Sequence, residues 1–342
     1  MRIVVCYYFR DLSISLGEDL AAALVNLGHD VHCFDSSARG SYMVHKRLAK
    51  SLAKLVGAKA QLSAYFSARQ ERQLAKDFLG FCEQIAPELI VVIRGERIPV
   101  DALPEVSSRF GAKTVVWWVK NPRWESRLFA EAESYDRAFS INESICGEGI
   151  QYLPSWSVNR EVFSPTPFSL KKRQLLFIGT WSPRRQRYLE AIADLPLEII
   201  GPHWLEHLSM MHPLRRKVAG EWVSPAGMAS YYRSVWAVID IHQMDQDHGQ
   251  GVNMRFADVP TSGTVLITEP SREIERWQLA DRCAVLFTNP ESLRKAAMAL
   301  LADAQRCGAM SGKTAEVSAG MPTFADRAAT ILQSLNRERS EV

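Results

Sequence analysis

Asn253-Met-Arg-Phe-Ala-Asp258-Val-Pro-Thr-Ser-Gly263-Thr-Val-Leu-Ile267 is the stretch on which the fold turns. It follows the apolar run Val235-Trp-Ala-Val-Ile-Asp-Ile241 and a glycine-bearing loop, Asp247-His-Gly-Gln-Gly-Val252. The order is therefore strand, loop, helix, glycine turn, strand. Glycines let a backbone approach a ligand closely, and a helix N-terminus offers unpaired N–H groups to an anion. Arg255 and Asp258 on that helix add a phosphate clamp and a hydroxyl acceptor, which together suit a nucleotide diphosphate with its ribose.

The same alternation extends in both directions. Upstream, strands are predicted at Ile3–Tyr8, Val31–Phe34, Leu89–Ile93 and Thr114–Val119, with helices at Glu18–Leu27, Ala68–Ile85 and Asp101–Phe110 between them. Pro154, Pro165 and Pro167 then punctuate a polar stretch that reads as a linker. A second series follows, with strands at Leu175–Ile178, Leu197–Ile200, Ala237–Ile241, Val265–Thr268 and Ala284–Phe287. Its helices are expected at Arg184–Ala193, Gly227–Ser234, from about Asn253, and at Pro290–Ala304. Such alternation argues for parallel sheets with helices on both faces. The expected fold class is α/β, with two facing, doubly wound, Rossmann-like domains. The boundaries are read as 1–165 for a first domain and 170–322 for a second. A terminal helix over 323–342 would cross back to the first.

Composition sets outer limits. The 342 residues exceed one ordinary core, so two domains are expected. With 47% hydrophobic and 23% charged residues the chain is globular rather than disordered. A net charge of +3 is too small to imply nucleic acid as a partner. The six cysteines are scattered with no Cys-x-x-Cys pair, which reads as reduced, buried thiols. No window approaches the roughly 20 apolar residues that span a bilayer. A cytoplasmic location is expected.

A second signal is Phe177-Ile-Gly179-Thr-Trp-Ser182-Pro183-Arg184-Arg185. Ser182 suits an N-cap and Pro183 the first helical position. Arg184 and Arg185 then fall in the first turn, where the helix dipole disfavours cations, so an anionic partner is predicted there.

At this point the chain resembles a two-domain glycosyltransferase of the GT-B fold, and more narrowly the CgeB-like (spore maturation protein CgeB) branch of the glycosyltransferase family 1/4 group. The resemblance rests on motifs in order along most of the chain. In the first half these are Ala23-Leu-Val-Asn-Leu-Gly28-His29-Asp30-Val31, then Lys113-Thr-Val-Val-Trp117-Trp118-Val-Lys-Asn-Pro122. The hinge from Tyr152-Leu153-Pro154 to Phe163-Ser-Pro165 follows. The second half adds Phe177-Ile-Gly179, Gly201-Pro202-His203-Trp204 and the run from Asn253-x-Arg255 to Gly263.

The resemblance implies a UDP- or dTDP-sugar donor as substrate, no metal or other cofactor, and transfer to the hydroxyl of a glycan, lipid-linked or protein acceptor. It places Gly179, Arg184 and Arg185 at the diphosphate. Gly251, Val252 and Asn253 would offer backbone N–H groups, and Arg255 would pair with phosphate oxygens. Asp258 stands where the family has a ribose-binding glutamate, and Gln250 where retaining relatives have a second one. Lys120 replaces an expected Asp. Replacement of Arg255 by Ala is expected to lower donor use with little loss of folding.

For the acceptor side, Asp11, Glu18 and Glu96 are the candidate general bases, since an inverting transfer needs a carboxylate or imidazole within reach of the attacking hydroxyl. His242 and His248 flank the donor loop and could contact sugar or phosphate, and no metal-ligand spacing is seen. Ser36–Gln70 holds seven basic residues and no acidic one, a basic amphipathic face suited to an anionic membrane surface or a charged glycan acceptor. The alternatives kept open are a nucleotide-sugar epimerase or hydrolase on the same fold, and a catalytically weak glycan- or nucleotide-binding partner.

Overall fold

The structure is a computed structural model that describes residues 1–9, 15–37, 59–94, 100–120, 127–147, 149–242 and 252–336. It divides into two compact units, Met1–Pro154 with Ala325–Val342, and Ser155–Phe324.

The first unit carries β1 (Arg2–Tyr7), β2 (Asp30–Asp35), β3 (Leu89–Ile93), β4 (Lys113–Trp118), β5 (Arg137–Ser140) and β6 (Ile150–Tyr152). They form one sheet in the order β2-β1-β3-β4-β5-β6, with every pair parallel. Its central strands are buried end to end, and Leu89-Ile-Val-Val-Ile93 is the clearest case. That is the pattern of a sheet covered on both faces. The helix Lys59–Ile85 starts nine residues before the expected Ala68. Strands β5 and β6 have no counterpart in the sequence reading, because Arg137-Ala-Phe-Ser140 and Ile150-Gln-Tyr152 offer no apolar run. The helix Phe324–Ser334 belongs with this unit from Ala325 onward, and Arg137 Nε donates to Ser334 O at 2.7 Å.

The second unit holds β7 (Lys172–Ile178), β8 (Leu197–Ile200), β9 (Val218–Gly220), β10 (Val235–Asp240), β11 (Val265–Thr268) and β12 (Ala284–Leu286). The order is β12-β11-β10-β7-β8-β9, again all parallel. Side-chain alternation builds its two layers. Leu175, Phe177, Ala237, Ile239 and Ile267 enter one core, while Leu176, Ile178, Val238 and Leu266 enter the other.

Two features of this unit escaped the sequence reading. The stretch read as linker is partly core: Trp156 packs on Phe256 at 4.7 Å and on Trp277 at 5.6 Å between ring centroids. Ala304–Ala319 is also a helix, capped by Asp303, although Gly308 and Gly312 disguise it. A Cβ on Gly308 would lie 3.1 Å from the Phe168 ring, so the glycine marks close helix packing rather than a loop.

In the second sheet β7 leads to β8 and β9 on one side, and β10 to β11 and β12 on the other. The strand order therefore reverses between β7 and β10. An open parallel sheet offers its ligand crevice at such a point, beyond the carboxyl ends of the strands.

Candidate functional site

Beyond the ends of β7, β10 and β11 a set of buried charges converges. The helix Pro183–Glu190 starts as the sequence suggested, with Pro183 at its first turn and the Ser182 hydroxyl accepting from Arg185 N. Arg184 forks onto Glu269, one residue past β11: Nη1 lies 3.0 Å from Oε2 and Nη2 pairs with Oε1. Arg184 Nη1 also donates to His242 O at 3.0 Å. Arg185 donates to Ile241 O and Thr180 O, both at 2.9 Å. The anion facing Arg184 is thus the protein's own carboxylate, while Arg185 meets backbone carbonyls.

Arg255 opens the helix Arg255–Thr261. It donates to Asp240 Oδ1 at 2.9 Å and to Ile178 O at 2.6 Å, so it binds the last residues of β10 and β7 together. Asn253 completes the joint. Its Nδ2 reaches both Asp240 oxygens at 2.8 Å, and its Oδ1 accepts from Arg255 N at 2.9 Å. His242 sits between the carboxylates, Nδ1 3.2 Å from Glu269 Oε2 and Nε2 3.6 Å from Asp240 Oδ2. Its backbone N–H donates to Glu269 at 2.8 Å.

The electrostatics follow from burial and partners. Burial alone would raise Asp240, yet Arg255, His242 and Asn253 outweigh it and hold the carboxyl low. Burial would likewise lower Arg255, and Asp240 foremost raises it instead. Glu269 is held at about 2, since hydrogen bonds from His242 and Arg184 overcome its burial. Arg185 goes the other way, to about 10, through burial and the neighbouring Arg255 and Arg184 cations, with Asp240 and Glu269 only partly compensating. Burial is the main cause, and an anion entering beside Arg185 would offset it.

The backbone at this end is locked. Gly179 N donates to Ile200 O at 2.8 Å, Trp181 N to Pro202 O at 3.0 Å, and Trp204 Nε1 to Gly179 O at 2.8 Å. A Cβ on Gly201 would lie 2.0 Å from Gly179 O, so only glycine lets the loops after β7 and β8 run together. The Phe-x-Gly and Gly-x-x-Trp motifs of the sequence meet here as one interlocked floor.

Of the sequence-nominated donor residues, the structure brings together Gly179, Arg184, Arg185, Asn253 and Arg255. Val252 is buried in the adjoining core. Asp258 is 4% exposed on the inner side of its helix and acts electrostatically on Arg255 and Tyr232. Its ribose role rests on the resemblance alone. Gln250, Gly251 and His248 lie outside the described residues, as do Asp11, Glu96 and the basic run from Lys46 to Lys54. Glu18 is described: it is exposed on the first turn of the helix Leu16–Asn26. Partial desolvation, then Asp19 and Asp35, raise its carboxyl above the ordinary value. Lys120 accepts from Asn142 Nδ2 through its carbonyl.

Asp240 and Glu269 went unmarked in the sequence reading. Their signal was there: each is an acid closing an apolar strand, where a buried charge calls for a partner. The first unit has its own reversal between β1 and β3. There Arg94, in a left-handed conformation with φ 79°, lies 4.6 Å over the Tyr8 ring.

Two parallel-sheet units, one with a basic cluster at its switch point, define a protein of the GT-B fold. Comparison with known proteins agrees. Residues 184–333 match the family model described as glycosyl transferase-like. Among solved structures the chain is similar to a sucrose-phosphate synthase from Thermosynechococcus elongatus, with 12% identity, a TM-score of 0.68 and 97% of each chain covered. It is also similar to HepE from Anabaena, solved with UDP and glucose, at 10% identity and a TM-score of 0.61 over 98% of this chain and 99% of HepE. The glycosyltransferase VinC, solved with dTDP, matches at 14% identity and a TM-score of 0.52 over 99% of this chain and 100% of VinC. Identities this low speak for the fold. No curated protein matches the sequence.

Proposed function

We propose that this chain is a CgeB-like glycosyltransferase that moves a sugar from a UDP- or dTDP-linked donor to an acceptor hydroxyl without a metal ion. The observation that carries the reading is the trio Arg184, Arg185 and Arg255, with Arg185 buried and the other two partly so, at the point where the second sheet reverses its strand order. The family match over this unit and the nucleotide diphosphates bound by HepE and VinC support it.

The chemistry follows from where charge develops. As the acceptor oxygen attacks the anomeric carbon, the bond to the diphosphate breaks and negative charge grows on the phosphate oxygen that leaves. Guanidiniums held in a water-poor crevice stabilise that charge without reorganising. Their planar forks suit phosphate oxygens. The acidic partners in the cluster, Asp240 and Glu269, are engaged by Arg255 and Arg184, which favours arginine rather than a divalent cation as the diphosphate's counter-charge. Gly251 and His248 on the donor loop add contacts to phosphate or sugar, and Asp258 acts on the ribose side.

The proton leaving the acceptor goes to a carboxylate of the first unit, Asp11, Glu18 or Glu96. The raised carboxyl of Glu18 moves it toward the basicity that general-base catalysis rewards. Glycan, lipid-linked and protein hydroxyls are the acceptor classes.

A panel of UDP- and dTDP-sugars, incubated with the enzyme and EDTA and followed by mass spectrometry and NMR, tests this. Transfer or donor hydrolysis that persists in EDTA is expected. Epimerised donor would point to the epimerase reading. Failure of both UDP and dTDP to bind would overturn the proposal altogether.

A further inference from the structure

The second unit displays two methionines in a manner that neither its core nor its charge cluster explains. Met210 and Met211 are 78% and 87% exposed. They form the tip of a turn closed by His212 N donating to Ser209 O at 3.1 Å. The turn is braced from below. Arg215 Nη1 donates to Leu205 O at 2.9 Å and to Leu208 O at 2.7 Å. His212 contacts Glu190 at 2.9 Å and accepts from Leu214 N at 3.2 Å. Leu208 and Leu214 on either side are buried. Two apolar side chains are therefore held outward by an ordered base.

Behind the tip lies an open cavity of about 500 Å³ lined by Met211, His212, Pro213, Arg216 and Lys217. Arg216 is exposed, and Lys217 donates to Leu195 O at 2.8 Å while keeping its charge beside the cavity. From Leu205 to Lys217 the chain carries Arg215, Arg216 and Lys217 against one carboxylate, Glu206, which contacts His203 at 3.1 Å, with Glu190 beside His212 as the nearby second. The patch is thus apolar at its apex and cationic at its flank.

We propose that this turn is a membrane-docking element, in which Met210 and Met211 enter the headgroup region of an anionic bilayer and Arg216 and Lys217 meet lipid phosphates. Apolar side chains gain from leaving water, and cations gain from the negative surface potential of such a bilayer. Neither contribution alone anchors a protein, but two together do. The inference stands apart from the glycosyl-transfer reading, because no residue of the arginine cluster takes part.

Co-sedimentation of the full chain with vesicles of phosphatidylcholine, with and without phosphatidylglycerol, tests it. Binding is expected only with phosphatidylglycerol and should weaken as salt rises. The double variant M210S/M211S and the single variant R216E should each bind about tenfold more weakly or worse, with unchanged thermal unfolding midpoints because these side chains are exposed. No binding by the wild-type chain overturns the proposal, as does undiminished binding by the variants. A wild-type dimer that M210S/M211S converts to monomer would assign the turn to self-association instead, and likewise overturns it.

Discussion

Replacing Glu269 with Gln should loosen the second unit and at the same time tighten its grip on UDP. The variant keeps the shape of the side chain and removes the charge. In the folded chain this carboxyl is held at about 2 against an ordinary 4.5. At 1.36 kcal/mol per pH unit that difference corresponds to about 3 kcal/mol, and partial water access at the site trims it to about 2 kcal/mol. A depressed carboxyl contributes its stability fully above 4.5 and loses it as pH falls toward 2. The gap between wild type and variant should therefore be widest near neutrality and close in acid.

Ligand binding runs the other way. Unit charges about 6 Å apart at an effective dielectric of about 20 interact by about 3 kcal/mol. Removing a carboxylate beside the diphosphate relieves that repulsion and frees the Arg184 fork, while the less ordered arginine gives back about 1 kcal/mol in side-chain entropy. The net gain of about 2 kcal/mol is about thirtyfold in affinity for UDP. Amide exchange of β10 and β11 read by mass spectrometry follows the second unit by itself, and calorimetry follows UDP. Weaker UDP binding in the variant would refute the view that Glu269 holds the place of the donor's phosphates.

Two further outcomes follow from neighbouring groups. Contrary to the expectation from sequence, Arg255→Ala should damage folding as well as donor binding, because it leaves Asp240 buried without its main cation. About 3–5 kcal/mol is expected from denaturant unfolding, with partial recovery on adding Asp240→Asn. Lys171, buried and donating to Arg233 O, Ser262 O and Thr264 Oγ1, is lowered to about 8 from 10.5 by that burial. Between those values the unfolded chain keeps a proton that the folded chain has released, so stability rises with pH. Relative to Lys171→Met, the wild type should gain about 1 kcal/mol between pH of about 7.5 and 9, and a flat difference in urea unfolding would count against it.

The central strands were legible because they are mostly buried and so appear as largely apolar runs bounded by glycine and proline. Leu89–Ile93, Leu197–Ile200 and Val265–Thr268 were located to the residue. The misses have equally local causes. Ile150-Gln-Tyr152 and Arg137-Ala-Phe-Ser140 were missed because polar residues interrupt or flank their one or two apolar ones and leave no apolar run to stand out. The helix Ala304–Ala319 hides because its glycines serve a packing contact with Phe168.

The candidate site divides along the same line. Sequence spacing could place Arg184 and Arg185 on a helix start and Arg255 on another. It could not supply their counter-ions, since Glu269 lies 85 positions from Arg184 and Asp240 lies 15 from Arg255. Only the parallel register of β7, β10 and β11 carries the three strand ends to one place. That register changes the meaning of the motifs. Gly179, Gly201 and Trp204 interlock the loops that form the floor, and Asn253 fixes Asp240 as well as the start of its helix. The cluster is preorganised around charges that the chain already owns. On the proposed function, a diphosphate would therefore compete with Glu269 rather than enter an empty basic pocket, and its affinity would be set by that difference.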